Sequence, residues 1–371
     1  MTSTTTTEAD LAKAPTRRAR RAYERGVLGA RLDPRCNGLN LLRLIMAVGV
    51  VYYHSYRLTG RPIDPAPLEQ ALSSVWVDGF FALSGFLIVG SWARRPQPVP
   101  FLRHRVLRIY PGFLVCLVLT AFVAVPVGAS MTGERYTFAD QLGYVGANLG
   151  LYIRTFTVGD TLANVPYPGA WNGSLWTLVW EFACYLVVLA LGLAGLLGRR
   201  HGVPVLFGGA WLLAAATAFT PLGELGIPLL LYRFGTLGLH DAGRFALAFA
   251  AGALIFHLRD RLVCRWRLVA MALLIVGASM WLPDYRLVGA PFLAYALVAA
   301  GALIHVPRLH LRDDISYGMY IYAFPMQQLL AAAGLASLSV PVFAAASVLL
   351  TIVPARLSWF LVEKPAMRFK G

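Results

Sequence analysis

The sequence predicts an all-α fold, a polytopic membrane protein of about ten transmembrane helices with both termini in the cytoplasm. Three observations carry this expectation. Of 371 residues, 58% are hydrophobic and only 14% charged, and the mean hydropathy is +0.62, whereas soluble domains carry about 25% charged and about 45–50% apolar residues. The apolar residues fall in continuous runs without period-two alternation. In lipid every backbone group must be paired internally, so such runs have to be helices. The basic residues, finally, are distributed asymmetrically between alternate loops.

The apolar runs, in order, are 39–56, 74–92, 107–127, 174–197, 203–219, 244–258, 268–282, 289–306, 315–335 and 340–362. A helix needs about 20 apolar residues to cross a hydrocarbon core about 30 Å thick, and all but 244–258 and 268–282 approach that length. The stretch 142–153 is too short to span and reads as interfacial or re-entrant. Of the 33 Lys and Arg residues, 24 then lie at the termini or in loops on one side, 7 on the other, and Arg43 and Arg356 fall within spans. The basic side is the cytoplasmic one. Counting 142–153 as a further span would move the later basic loops outside, so the charge pattern favours ten spans. The net charge of +15 is thereby explained by membrane topology, and nucleic acid is not an expected partner.

Residues 1–36 are Thr-rich, then Arg-rich, and read as a disordered basic tail along the inner membrane face. No small-residue cleavage site follows the first apolar run, so a signal peptide is not expected. Residues 37–366 form one membrane domain and 367–371 a short cytoplasmic tail, with no soluble catalytic domain expected. The four cysteines show no metal spacing.

Ionisable groups inside spans are costly, by roughly 2.5–3.5 kcal/mol on insertion scales, and are functional candidates. Arg43 and His54 lie eleven residues apart in the first span. That spacing returns them to within about 20° of one helix face, about 16 Å apart along the axis. The alternative is that Arg43 snorkels to headgroups and His54 sits in the outer interface. Asp78 stands at the outer end of the second span, followed by Gly79, Ser84 and Gly85, small residues that permit close helix approach. Arg105 and Arg108 share a face at the start of the third span. Arginine forks suit phosphate oxygens, and simple topological anchoring is the alternative. Glu181 lies well inside the fourth apolar run and requires a partner or a polar cavity, while Glu363 reads as interfacial.

Taken in order, Leu42-Arg43…His54, Asp78-Gly79-Phe80-Phe81…Leu83-Ser84-Gly85-Phe86-Leu87, Arg105…Arg108-Ile109-Tyr110-Pro111, Trp176…Glu181…Tyr185, Ile315-Ser316-Tyr317-Gly318-Met319-Tyr320 and Glu363-Lys364-Pro365 resemble the acyltransferase-3 family of bacterial membrane-bound acyltransferases. One departure stands out. Many members carry a His one residue before an aromatic-Pro pair after the Ser-Tyr-Gly-Met-Tyr block, and this chain has Ala323-Phe324-Pro325.

The resemblance implies a multi-pass protein of the bacterial inner membrane. It would use no bound cofactor, and would transfer an acyl group, acetyl in the first instance, from acetyl-CoA or another acyl-CoA co-substrate. The acceptor would be a hydroxyl of a glycan, glycolipid or macrolide-like molecule. His54 would act as general base, Arg43 would bind donor or stabilise developing charge, and Arg105 and Arg108 would hold donor phosphates. Glu181 would orient His54, with Asp78 a further catalytic candidate. A transporter or flippase of lipid-linked glycans is the rival reading, since intramembrane Arg, His and Glu also suit a substrate pathway.

Overall fold

The computed structural model describes residues 17–33, 36–220, 222, 226–228, 236–304 and 313–369. Residues 1–16, Arg35, Arg233, Arg308, Arg312, Lys370 and the end of the expected run 289–306 lie outside these. Eleven helices organise the membrane domain, and ten of them follow the ten apolar runs. They are α1 (Leu39–Leu58), α2 (Ala66–Arg94), α3 (Pro98–Thr132), the short α4 (Phe138–Asn148), α5 (Leu175–Leu193), α6 (Gly202–Phe219), α7 (Leu239–Leu258), α8 (Trp266–Ser279), α9 (Arg286–Leu303), α10 (Ser316–Ala332) and α11 (Val340–Arg368). A three-residue antiparallel pair, Gly226–Pro228 with Thr236–Gly238, joins α6 to α7.

Seven helices, α2, α3, α5, α6, α7, α9 and α11, are long and apolar enough to cross a membrane by length and composition. Of the others, α8 has 14 residues and α10 has 17, while α1 carries Arg43, His54 and Arg57. Several helices start well before their apolar runs. α2 begins at Ala66 and α3 at Pro98, each with a proline in its first turn, where the missing N–H costs nothing. The expected short run at 244–258 becomes a twenty-residue helix because its polar first turn, including Asp241, belongs to it.

The α2–α7 pair forms the spine of the bundle, and its closeness is set by glycine. A Cβ at Gly85 would fall on the Phe249 carbonyl, and one at Gly252 on the Ala82 carbonyl. One apolar cluster joins α2, α3, α5 and α10, and a second joins α1, α2, α7 and α9. The basic N-terminal segment is not wholly the unstructured tail expected. Residues 17–33 form two short helices and dock on the α7–α8 loop. The Leu28 N–H donates to the Leu262 carbonyl at 2.8 Å, Cys264 N–H to the Gly26 carbonyl at 2.8 Å, and the Leu28 side chain is fully buried. Burying that leucine supplies the apolar contact which the surrounding arginines do not.

The chain between α4 and α5 determines the depth of the site. α4 has eleven residues and is fixed by a Thr137–Asp140 capping box and by Gln141 donating to the Ala121 carbonyl at 2.8 Å. Residues 149–174 then turn into the bundle instead of covering it. Trp171 is fully buried, and Asn172 Nδ2 donates at 2.8 Å to the carbonyl of Ile321 in the second turn of α10. α5 therefore starts deep within the bundle.

Candidate active site

Two cavities meet inside the bundle. The inner one, on the side where α3 begins, has a volume of about 110 Å³ and is lined by Arg43 of α1, Ser84 of α2, Arg105 and Arg108 of α3, Glu181 and Tyr185 of α5, and Tyr317 of α10. The outer one, of about 320 Å³, is lined by His54 and Arg57 of α1, Tyr167, Ser174 and Trp176 around the start of α5, Arg244 of α7 and Phe324 of α10. Val77, Thr177 and Tyr320 line both. At this neck the Thr177 and Tyr320 hydroxyls lie 2.6 Å apart. The outer volume falls at the lower end of the range of small-molecule sites, about 300–1,000 Å³.

Arg43 and His54 thus face the two cavities from one helix. The His54 ring stands edge-on to Phe324 with centroids 5.0 Å apart, and its Nδ1 is buried without a partner among the described residues. The aromatic of the Ala323-Phe324-Pro325 departure is therefore the wall against which the histidine packs. Gln327, fully buried on α10, donates to the Val51 carbonyl and the Ser55 hydroxyl, both at 2.9 Å, clamping α1 on either side of His54.

The two α3 arginines play different parts. Arg108 Nη2 meets Asp314 Oδ2 at 2.6 Å and its Nη1 meets Glu363 Oε2 at 3.3 Å. Arg43 Nη1 binds the same Asp314 oxygen at 2.8 Å. Glu363 is 1% exposed and also accepts from Ser358 at 3.0 Å. It is an internal member of an ion network, not the interfacial residue its place in the sequence implied. Burial pushes the Asp314 carboxyl up, but Arg43, Arg108 and the Ser316 hydroxyl and N–H outweigh this and hold it at about 2. The carboxylate stays ionised throughout the neutral range.

Arg105, by contrast, has no ion pair among the described residues. Its guanidinium lies 5.7 Å and 5.8 Å from the ring centres of Phe101 and Tyr185, and its Nε is unpartnered. Of the expected phosphate-binding pair, Arg105 is free to take a ligand and Arg108 is held by carboxylates.

Glu181 and His54 are not brought together. Glu181 accepts from the Tyr185 hydroxyl and lines the inner cavity, while His54 lines the outer one. The expected pairing assumed that α5 starts at the outer membrane face. Because residues 149–174 carry the chain into the bundle first, α5 starts deep and Glu181 falls in the cavity lined by Arg43 and Arg105. Asp78 lines neither cavity. It is 1% exposed, its Oδ1 meets Arg244 Nε at 3.2 Å, and its Oδ2 accepts from Arg286 Nε at 2.6 Å and from the Tyr285 hydroxyl at 2.7 Å. A carboxylate so engaged is a support for Arg244, which does face the outer cavity. Asp314, Arg244 and Gln327 were not singled out in the sequence. Asp314 directly precedes the Ile315-Ser316-Tyr317 block and could have been found as its only nearby acid besides Asp313. Arg244 and Gln327 carry no local signal.

The fold and site define a helical membrane protein with an internal cationic cavity joined to a histidine-bearing one, an arrangement suited to transferring a group between two substrates. The acyltransferase domain family, acyltransferase-3, matches residues 37–359, and the chain belongs to that family. The chain is similar to a protein named O-acetyl transferase from Shigella phage Sf6, 26% identical over 343 residues covering 88% of this chain and 95% of the relative. It is also similar to Nodulation protein 10 of Rhizobium leguminosarum bv. viciae, 27% identical over 356 residues covering 90% and 94%. No solved structure matches the chain.

Proposed function

We propose that this chain is an O-acyltransferase of the bacterial cytoplasmic membrane. It moves an acyl group, acetyl in the simplest case, from an acyl-CoA thioester to a sugar hydroxyl of a surface polysaccharide, glycolipid or macrolide-like acceptor. The observation that supports this reading is the pair of cavities joined at Val77, Thr177 and Tyr320. A thioester entering from the cytoplasmic side meets Arg43 and Arg105, with Arg108 and Asp314 behind them. Its acyl end reaches the neck, and the acceptor approaches from the outer cavity. Ten spans with both termini cytoplasmic, as the 24-to-7 distribution of Lys and Arg implies, give the cavities these two sides.

His54 takes the acceptor's hydroxyl proton as the oxygen attacks the thioester carbonyl. The new O–C bond forms, the C–S bond breaks, and coenzyme A leaves as the thiol after taking up a proton. Arg105 supplies charge-assisted bonds to donor phosphate oxygens, which are roughly twice as strong as neutral ones. Glu181, bonded to Tyr185, shapes the donor cavity wall. The relative named O-acetyl transferase supports acetyl as the group moved. The test is turnover of labelled acetyl-CoA by the purified protein, paired with mass spectrometry of surface glycans from a deletion strain. Thioester turnover and loss of one acyl group are expected. An unaltered glycan profile together with no turnover would overturn the proposal in favour of a transport role.

A further inference from the structure

The outer cavity contains two arginines, and no carboxylate lines it among the described residues. Arg57 and Arg244 face it beside His54, Ser174, Trp176 and Tyr167. Asp78 holds Arg244 from behind by its Nε edge at 3.2 Å, and no described residue accepts from its terminal nitrogens. The remaining Asp78 oxygen is engaged by Arg286 and Tyr285, so the carboxylate fixes Arg244 without entering the cavity. Arg57 lies three residues beyond His54, in the last turn of α1 and on the same face, and has no ion pair among the described residues. Glu69 and Asp241 are close enough to act on this region, but neither lines the cavity. Ser174 is 1% exposed and its hydroxyl, on the cavity wall, has no partner among the described residues. Buried polar atoms are nearly always bonded, so an unpartnered one on a cavity wall points to a ligand.

We propose that the acceptor is an acidic glycan. On the transferase reading, with which this inference stands, the outer cavity takes a sugar bearing an anionic oxygen group, a carboxylate or a phosphate. Arg57 and Arg244 clamp that group, Trp176 and Tyr167 offer aromatic faces to the sugar ring, and the hydroxyl to be acylated lies toward His54. Guanidinium forks match the geometry of both anions, and a neutral sugar would leave Arg57 without a counter-charge and the terminal nitrogens of Arg244 without an acceptor.

The test is equilibrium binding to the full chain in nanodiscs, followed by intrinsic tryptophan fluorescence. The probes are octyl glucoside, octyl glucuronide and octyl glucoside 6-phosphate. At least one anionic probe is expected to bind about tenfold more tightly than octyl glucoside, a difference of about 1.4 kcal/mol. Whichever anion wins identifies carboxylate or phosphate as the natural group. Arg57→Gln and Arg244→Gln should each erase most of that preference, and Arg57→Lys should retain part of it. Should loss of the Asp78 partner unfold the Arg244 variant, the exposed Arg57 carries the test alone. Equal binding of neutral and anionic probes, or a preference unchanged in Arg57→Gln, would overturn the proposal. Binding needs no donor, so the two readings fail separately. Anion preference without acetyl transfer leaves the site and removes the transferase, while transfer to octyl glucoside without anion preference does the reverse.

Discussion

His54 and the α3 arginines separate chemistry from scaffolding residue by residue. As general base, His54 should contribute about 10²-fold or more to turnover. Removing an imidazole from a helix in a bilayer relieves an insertion cost. His54→Ala is therefore expected to lose about 10²-fold or more in acetyl transfer while membrane yield stays near normal. Matched amounts of purified protein assayed in detergent check this, and equal activity would end the assignment. Arg105 and Arg108 should diverge although they are three residues apart. Arg105→Gln is expected to raise the KM for acyl-CoA, because it removes a cation that no described residue holds in an ion pair, and to leave the unfolding temperature nearly unchanged. Arg108→Gln leaves Glu363 buried without its arginine and takes one of two arginines from Asp314. Breaking a buried pair costs about 3–5 kcal/mol, so this variant should fall in thermal stability before its donor affinity can be read. Thermal unfolding and donor titration of both proteins decide the point. The sequence could not have told these arginines apart, since the acids that claim Arg108 lie 206 and 255 positions away.

Between helices, the small-residue signal in the second span proved informative, because its meaning is local. Gly85 permits the α2–α7 approach as expected, and Gly252 supplies the complementary surface on α7. Gly252→Leu would drive a side chain into the Ala82 carbonyl and the Phe86 N–H region, parting the two helices that carry Asp78 and Arg244. Overpacking typically costs about 1–3 kcal/mol, and here backbone, which cannot swing aside, is the obstacle. The variant is expected to lose folded yield by size-exclusion chromatography, whereas Gly277→Leu on α8, where a Cβ meets nothing within 4 Å, should not. The helices themselves were legible because apolar runs are written consecutively. The depth of α5 was not. It depends on how residues 149–174 fold back, on the Asn172 bond to Ile321 and on the burial of Trp171, none of which has a periodic signature. That one unreadable loop moved Glu181 from the side of His54 to the side of Arg105.

At the scale of the whole molecule, the proposal stands on orientation. The inner cavity must face acyl-CoA, and the outer one the acceptor. Charge makes the prediction: with 24 Lys and Arg on one side and 7 on the other, the side carrying Arg94, Arg95 and Arg103 faces the cytoplasm. The structure connects this side to the inner cavity through α3, which begins at Pro98 and reaches the cavity-lining Arg105 and Arg108 within three turns. α3 runs outward from there to Thr132, so Met131 lies at its far end. α5 returns inward to Leu193, and Arg200 follows at the turn into α6. Met131 and Arg200 should therefore lie on opposite sides of the bilayer. An alkaline phosphatase fusion after Met131 is expected to be active and one after Arg200 inactive, with green fluorescent protein fusions giving the inverse pattern. Reversed signals would put the Arg43 and Arg105 cavity outside, away from any cytoplasmic thioester. Identical signals at both sites would mean that α5 does not complete its crossing, a specific risk for a helix that begins inside the bundle. Opposite signals in the expected sense leave His54 on the side from which a surface glycan can reach it.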